Sequence, residues 1–521
     1  MTAPARVLVA LLAAVGLLTA GSQASARSSA GPPVVHTAQG AVRGVHAGAV
    51  EQFLGIPYAA PPVGDLRWRP PRPAASWSGV RSAEHHGSPC PQAGGSLGAT
   101  PSENEDCLVL DVYRPAGHPG GARLPVYFWI HGGGLQTGTS SLYDGSTIAR
   151  ETGVVVVAIN YRLGVLGFAG HPALTAEAGE SGNYGFADQQ AALRWVHRNI
   201  AAFGGDPGAV TIGGESAGGW SVCAHLAAPR SRGLFAGAII QSGGCVSGTQ
   251  AEAEAGGTGV AAKVGCTDAT TALACLRATP VKKLVDATPG QTLFTRGTSA
   301  LPRDPRVAVA TGRFTRVPVV IGANRDEART FTLGYLGWTR AQYEAWVHDT
   351  FGSRAGAVLA RYPWPARSDR FTAAYVIGAV LTDSGLGFDL GGCPNRRLAH
   401  DLGRHTPTYT YQFDHRTGPG VVGGFPGYVW GAGHAAELQY LWPSLQGADR
   451  PLNPAELRLA GQLTAYWGAF VRTGRPAAAH QPAWLRYGVL SLRAGPRSRM
   501  IPDRAVAQQH QCEFWDLAGG R

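Results

Sequence analysis

Two stretches of this sequence place a serine between glycines as Gly-x-Ser-x-Gly, the spacing found around serine nucleophiles. The first is residues 214–218, centred on Ser216, and the second is residues 94–98, centred on Ser96. Because the chain contains 73 glycines in 521 residues, it can match this pattern by chance. The flanking residues must therefore separate a nucleophile from a coincidence.

The segments around Ser216 favour a nucleophile. Residues 209–212 form an apolar, strand-like run before it, and residues 220–226 after it can continue as a helix. A strand, a sharp turn flanked by glycines and a helix expose the serine Oγ on a strained backbone. Ser96 instead follows a loop-like segment. We predict that Ser216 is the nucleophile and that the match at Ser96 is coincidental.

Acyl transfer by a serine also needs donors for the oxyanion, a base, and an acid that orients the base. Residues 131–134, His-Gly-Gly-Gly, follow the apolar run 126–130, and glycines let backbone amides approach a substrate oxygen closely. The amide of Ala217, directly after the nucleophile, supplies the remaining donor. The sequence thus contains a candidate oxyanion hole.

The base and the acid are expected after Ser216, in the order acid and then histidine. His434 is favoured as the base because it ends a Trp-Gly-Ala-Gly-His loop, and His415 is the weaker alternative. Asp326 and Glu327 both follow a strand-like run at residues 319–322. The residues alone do not choose between these two acids.

Apolar runs alternate with helical patterns along the chain, which indicates an α/β fold with a mostly parallel sheet. We expect one large domain over residues 27–521, with insertions, and a glycine-rich loop at 418–427 near the site. The predicted strands cover residues 109–113, 126–130, 154–159, 237–240 and 317–321, and the clearest helices cover 188–200 and 456–470.

The N-terminus has the features of a Sec-type signal peptide over residues 1–26. Arg6 precedes an apolar core at residues 7–20, and Ala-Ser-Ala at 24–26 offers a cleavage site. The apolar core is short for a bilayer span. We therefore predict a secreted, soluble protein that begins near Arg27.

Composition narrows the classes of partner. The net charge is +11, but the basic residues are scattered arginines, which indicates a composition bias and not nucleic-acid binding. In an oxidising compartment the eight cysteines favour disulfides. Without a Cys-x-x-Cys or His-Glu-x-x-His motif, we expect no metal and no cofactor.

With these motifs the chain resembles the type B carboxylesterases, the family that also contains the cholinesterases. The resemblance rests on residues 53–64 (Phe-Leu-Gly-Ile-Pro-Tyr-Ala-Ala-Pro-Pro-Val-Gly), 105–108 (Glu-Asp-Cys-Leu), 160–162 (Asn-Tyr-Arg) and 214–218 (Gly-Glu-Ser-Ala-Gly), and it covers essentially the whole mature chain. It implies an α/β-hydrolase fold and the hydrolysis of small-molecule carboxylic esters.

The resemblance also assigns roles to single residues. It implies that Glu327 is the acid, that His434 is the base, and that Glu215 and Glu437 are buried acids beside them. The oxyanion donors become Gly133, Gly134 and Ala217. The implied disulfides are Cys90–Cys107, Cys266–Cys275 and Cys393–Cys512, and the implied ion pairs are Arg67–Glu105 and Arg162–Asp188.

Two cysteines, Cys223 and Cys245, have no partner in the family pattern. Cys223 lies two turns into the helix behind Ser216, and Cys245 follows the end of a strand. We expect these positions to point apart and to leave two free, buried thiols.

The sequence departs from the cholinesterases in one loop. The loop that Cys90 and Cys107 would close has no Trp, Tyr or Phe to bind a cationic head by cation–π contact. A choline ester is therefore disfavoured, and a general ester hydrolase is favoured over an interfacial lipase or an inactive binding relative. The inactive class typically lacks the nucleophile or the base, and both candidates are present here.

Overall fold

The structure, a computed structural model, describes residues 31–95, 97–117, 123–387, 389–445, 447, 449–495 and 498–517. The predicted signal peptide at 1–26 and Ser96 lie outside the described residues. Within them, none of the helices combines the length and the apolar character that a bilayer-spanning segment needs.

Among the described residues, a mixed sheet of eleven strands forms the centre, in the order β14-β13-β12-β11-β10-β9-β7-β8-β6-β4-β3, and β1, β2 and β5 form a small second sheet. The strands are β1 (Val34–His36), β2 (Ala41–Arg43), β3 (Val45–Ala47), β4 (Val50–Pro57), β5 (Val80–Ser82), β6 (Val109–Pro115), β7 (Leu124–Ile130), β8 (Val155–Ile159), β9 (Gly205–Glu215), β10 (Gly237–Gln241), β11 (Val319–Asn324), β12 (Thr408–Phe413), β13 (Val489–Leu492) and β14 (Arg499–Ile501).

Helices cover both faces of the large sheet. They are α1 (Ser146–Thr152), α2 (Gly164–Phe168), α3 (Pro172–Ala178), α4 (Tyr184–Asn199), α5 (Ala217–Ala227), α6 (Gln250–Val264), α7 (Ala272–Ala278), α8 (Val281–Asp286), α9 (Pro305–Ala310), α10 (Arg340–Phe351), α11 (Ala355–Arg361), α12 (Thr372–Ser384), α13 (Gly392–Gly403), α14 (Leu438–Leu441), α15 (Pro454–Thr473), α16 (Asp503–Gln509) and α17 (Cys512–Leu517). Each predicted strand and both predicted helices overlap an observed element, so the α/β prediction is confirmed.

The continuous apolar runs are explained by burial on both faces. In β8, Val155 and Val157 pack into the core on one face of the sheet, whereas Val156 and Ala158 pack into the core on the other face. Successive strand side chains point to opposite faces, so a strand covered on both sides has no polar position. The middle of the sheet is parallel. Each neighbouring pair in the series β8-β7-β9-β10-β11-β12-β13 is a parallel pair.

The register of the parallel strands brings their carboxyl ends to one edge of the sheet. Ile130 at the end of β7 pairs with Gly214 in β9, which pairs with Ile240 in β10, which pairs with Ile321 in β11. The segments that leave these four strands therefore emerge side by side. They contain His131, Ser216, Ser242 and Glu327.

The predicted cross-links are largely confirmed. The structure contains the disulfides Cys90–Cys107, Cys266–Cys275 and Cys393–Cys512. The Arg67–Glu105 ion pair closes at 2.6 Å, and the buried Arg162–Asp188 pair closes at 2.7 Å.

The prediction of two free thiols is wrong, because Cys223 and Cys245 form a fourth disulfide with Cα atoms 5.5 Å apart. The chain after β10 packs directly on α5, and a Cβ at Gly219 would lie 2.9 Å from the Cα atom of Gly243. Cys223 lies one helical turn beyond Gly219 and so shares its face. The two glycines allow a close approach that the order of helix and strand does not reveal.

Candidate functional site

Ser216 occupies a sharp turn between β9 and α5. Its backbone angles, φ 57° and ψ −122°, are unusual for a residue with a side chain and store strain at this position. A Cβ at Gly214 would lie 2.4 Å from the carbonyl carbon of Gly218, and one at Gly218 would lie 2.1 Å from the Ile130 oxygen. The flanking glycines are therefore required by space, because neither position admits a side chain.

Backbone amides cluster beside this turn. Gly133 and Gly134 both have positive φ angles, 95° and 65°, and a Cβ at Gly134 would point into open space. The Ala217 amide is the first N–H group of α5, and no carbonyl within the helix can accept a hydrogen bond from it. Among the described residues, no turn or loop hydrogen bond joins these three amides to a backbone acceptor. The segment predicted as an oxyanion hole thus presents donors beside Ser216.

The imidazole of His434 contacts Glu327. His434 Nδ1 lies 2.7 Å from Glu327 Oε2, and the backbone amide of His434 donates to the Glu327 carbonyl at 3.0 Å. Glu327 Oε1 accepts hydrogen bonds from the Asn324 amide at 2.7 Å and from Ser242 Oγ at 2.5 Å. Glu327 and His434 are both buried, so the carboxylate has a fixed position against the ring.

The two alternatives left open by the sequence have other partners. Asp326 accepts both hydrogen bonds of the Arg416 guanidinium, at 2.8 and 2.9 Å, and a third from the Ala432 amide. Burial raises the pKa of Asp326, but Arg329 and Arg416 outweigh that effect and the pKa falls below its usual value. His415 Nε2 lies 3.0 Å from Glu456.

Glu215 and Glu437 are both buried, and Glu215 contacts the imidazole. Glu215 Oε1 is 3.1 Å from His434 Nε2. Glu437 Oε2 accepts a hydrogen bond from Asn324 Nδ2 at 2.6 Å, and Oε1 accepts one from Gln241 Nε2 at 3.2 Å. Glu215 and Glu327 thus contact the imidazole directly, and the negative charge of Glu437 adds to theirs.

The protonation of these groups follows from burial and from one another. Burial opposes the charged imidazole, but Glu215 and then Glu327 outweigh it and raise the pKa of His434 to about 9. Burial likewise raises the pKa of Glu215 to about 8, although His434 opposes this shift. The two shifts are linked, because a neutral Glu215 withdraws part of the attraction that raises the pKa of His434.

Ser216 and His434 line a cavity of about 230 Å³. Phe331 packs on the imidazole with ring centroids 4.8 Å apart. Apart from Glu215 and His434, the described residues that line the cavity are apolar or uncharged: Gly95, Leu97, Ala99, Gly132, Gly133, Gly134, Thr137, Gly138, Leu142, Tyr143, Trp220, Thr330, Phe331, Leu390 and Ala435.

Sequence reasoning missed three residues that hold the carboxylates, namely Gln241, Ser242 and Asn324. Their positions gave a usable signal, because polar residues at the carboxyl end of buried parallel strands face the crevice where such sheets bind ligands. Within the described part of the chain, no group of three or more His, Cys, Asp or Glu side chains could hold a metal ion.

The sequence matches known proteins over most of its length. The model of the carboxylesterase family matches residues 31–515. A fumonisin B1 esterase from Sphingopyxis macrogoltabida is 37% identical over 483 residues, which cover 87% of this chain and 84% of that protein. A para-nitrobenzyl esterase from Bacillus subtilis (strain 168) is 33% identical over 476 residues, covering 87% and 92%.

A solved structure agrees with these matches. A thermophilic PNB esterase superposes with a TM-score of 0.78 and 31% identity, over 92% of this chain and 100% of that chain. The fold, the family match across the chain and the esterase relatives lead to one assignment. This protein is a member of the carboxylesterase family and a hydrolase of carboxylic esters.

Proposed function

We propose that this protein hydrolyses small, uncharged carboxylic esters through an acyl-enzyme formed on Ser216. The observation that carries the proposal is the contact between His434 Nδ1 and Glu327 Oε2 at 2.7 Å, with Ser216 and His434 on the wall of one cavity. An imidazole held at Nδ1 by a carboxylate presents its other nitrogen as a base.

In the first step, neutral His434 takes the Ser216 proton while Oγ bonds to the ester carbonyl carbon. The carbonyl oxygen becomes an oxyanion, which the amides of Gly133, Gly134 and Ala217 stabilise. Glu327 stabilises the imidazolium. His434 then returns the proton to the alcohol oxygen as the ester C–O bond breaks, and water repeats the sequence to release the acid.

Glu215 competes with Ser216 for the same ring nitrogen. His434 Nε2 lies 3.1 Å from Glu215 Oε1. Catalytic hydrogen bonds often shorten only when substrate is bound. We infer that substrate binding exchanges the Glu215 contact of Nε2 for one with Ser216 Oγ.

The size and the lining of the cavity support uncharged, small substrates. An apolar cavity of about 150 Å³ holds a benzene molecule, so 230 Å³ suits an ester with one ring or a short alkyl chain. A charged substituent would lose its hydration without a counter-ion, since the described walls contain no charge besides Glu215 and His434. A cavity of this volume favours an esterase over a lipase that accepts long acyl chains.

We also propose that the protein is secreted. The N-terminal pattern at 1–26 and four disulfides suit an oxidising compartment. The intact mass of the protein recovered from the medium should correspond to a chain beginning near Arg27 and lacking eight hydrogens. A mass that retains residues 1–26, or a shortfall of six hydrogens, would contradict cleavage or the fourth disulfide respectively.

Rates on p-nitrophenyl esters of graded acyl length test the substrate and the nucleophile together. We expect kcat/KM to be highest for short acyl chains and to fall for long ones, and Ser216→Ala to lower kcat by roughly 10⁶-fold. Ser96→Ala is the matched control and should retain full activity. Preference for long chains at a lipid interface would indicate a lipase, and an organophosphate label on another serine would refute the nucleophile.

Glu327→Gln should lower kcat by roughly 10⁴-fold, because an amide cannot hold the imidazole tautomer that leaves Nε2 free to accept a proton. Asp326→Asn provides the control, since Asp326 binds Arg416 and not His434. We expect a far smaller loss there. Steady-state kinetics on both purified variants, with unchanged circular dichroism, make the comparison. Equal losses would mean that Asp326 contributes directly.

Activity should rise with pH, because His434 must be neutral to accept the Ser216 proton. The pKa of His434 is raised to about 9, so the imidazole stays protonated below this pH. We expect kcat/KM to increase as the pH passes through the pKa. Glu215→Gln removes a carboxylate that favours the protonated ring. It should therefore move the acid limb of the pH profile, the range over which kcat/KM rises, to lower pH. A non-ionising ester over pH 5–10 is the assay, with Asp326→Asn as control. An unmoved limb in Glu215→Gln would contradict the electrostatic account.

A further inference from the structure

One residue at the end of β10 contacts both the nucleophile turn and a buried carboxylate. Gln241 is fully buried, and its backbone oxygen accepts a hydrogen bond from the Ser216 amide at 2.9 Å. Its side-chain Nε2 donates to Glu437 Oε1 at 3.2 Å. Gln241 therefore links the turn that carries the proposed nucleophile to the charges behind His434.

The orientation of this amide is determined by Trp467 in α15. The indole Nε1 of Trp467 donates to Gln241 Oε1 at 2.9 Å. An indole N–H is a donor only, so the amide oxygen must face the indole and the NH₂ group must face Glu437. The reverse orientation would place the amide oxygen against the carboxylate, where neither has a proton to donate.

We propose that Gln241, oriented by Trp467, is a positioning residue that keeps Glu437 ionised and thereby maintains the negative charge around His434. Glu437 has two side-chain amide donors, Gln241 at Oε1 and Asn324 at Oε2. Both stabilise the carboxylate over the carboxylic acid, whereas burial and the neighbouring Glu327 raise the pKa of Glu437. Losing the Gln241 donor would therefore favour the neutral acid.

The other titratable groups around Glu437 and His434 determine the sign of the effect. Glu215 from β9 and Glu327 after β11 are the remaining carboxyls, and Tyr143 and Tyr411 are the facing phenols. Burial raises the pKa of both phenols far above the assay range, so they remain neutral. A neutral Glu437 thus removes one of three negative charges and lowers the pKa of His434.

The test measures the pH dependence of kcat/KM on a non-ionising ester, in the full chain. Trp467→Phe removes the indole N–H while keeping an aromatic ring, and Gln241→Leu removes the amide itself. We expect both to shift the acid limb downward by about half a pH unit. Glu437→Gln should shift it in the same direction.

The matched control is Trp484→Phe. The ring centroids of Trp484 and Trp467 lie 6.0 Å apart, but the indole N–H of Trp484 donates to the Thr410 carbonyl. Loss of the Trp484 indole N–H should therefore leave the acid limb in place. In a Glu437→Gln background, Trp467→Phe and Gln241→Leu should cause no further shift, because the charge they maintain is already absent. If Gln241 and Trp467 only supported the fold, their effect on the acid limb would not depend on the presence of Glu437.

Two results would overturn the proposal. One is an unmoved acid limb in folded Trp467→Phe, and the other is a shift that persists at full size in the Glu437→Gln background. If Gln241→Leu does not fold, Trp467→Phe alone decides. The inference rests on the proposed function only through the assay. Hydrolysis that survives Ser216→Ala would refute the proposed nucleophile, whereas Ser216-dependent hydrolysis with an unmoved limb refutes only the role of Gln241.

Discussion

Four parallel strands end at one edge of the central sheet, and each contributes a different part of the site just beyond its last residue. Neighbouring strands lie about 4.8 Å apart, so groups a few residues past adjacent ends can meet by hydrogen bonds. The aligned register of β7, β9, β10 and β11 makes this possible. A shift of one strand by a single residue would turn its side chains to the opposite face and separate these groups.

Assembling the site at this edge buries charge. Three buried carboxyls act on the charge of one imidazole, and the protein provides them with unequal numbers of hydrogen-bond donors. Glu327 accepts hydrogen bonds from Ser242, Asn324 and His434, whereas Glu215 Oε1 accepts no hydrogen bond among the described residues and contacts His434 Nε2 at 3.1 Å as an ion pair. Burial raises the pKa of Glu215 to about 8, close to that of His434, so the titrations of the two groups are coupled.

The walls of the site come from segments with no regular pattern. Leu97, Leu142, Phe331 and Leu390 reach the cavity from four separate parts of the chain. The proposed chemistry and the proposed selectivity thus rest on different parts of the molecule. In the proposed function, the segments just beyond the strand ends hold Ser216 and Glu327, and the connecting segments determine which ester can approach them.

Much of the arrangement is visible in local sequence. Continuous β-branched runs such as 154–159 predict strands buried on both faces, because only such burial removes every polar position. The segment around Ser216 predicts its own turn, since a strand, two glycines and a helix leave the backbone few alternatives. The family pattern extends this local information to Glu327 and to three disulfides, all of which the structure contains in the expected contacts.

Tertiary structure decided what depends on distances between remote segments. Asp326 and Glu327 are adjacent and equally placed along the chain, and the positions of Arg416 and His434 show which carboxylate faces the imidazole. The Cys223–Cys245 disulfide depends on two glycines that let the chain after β10 approach α5. The sequence by itself determines the strands, the turn at Ser216 and the types of reacting group, because these follow from neighbours along the chain. The partners of those groups follow from packing, which joins residues a hundred or more positions apart.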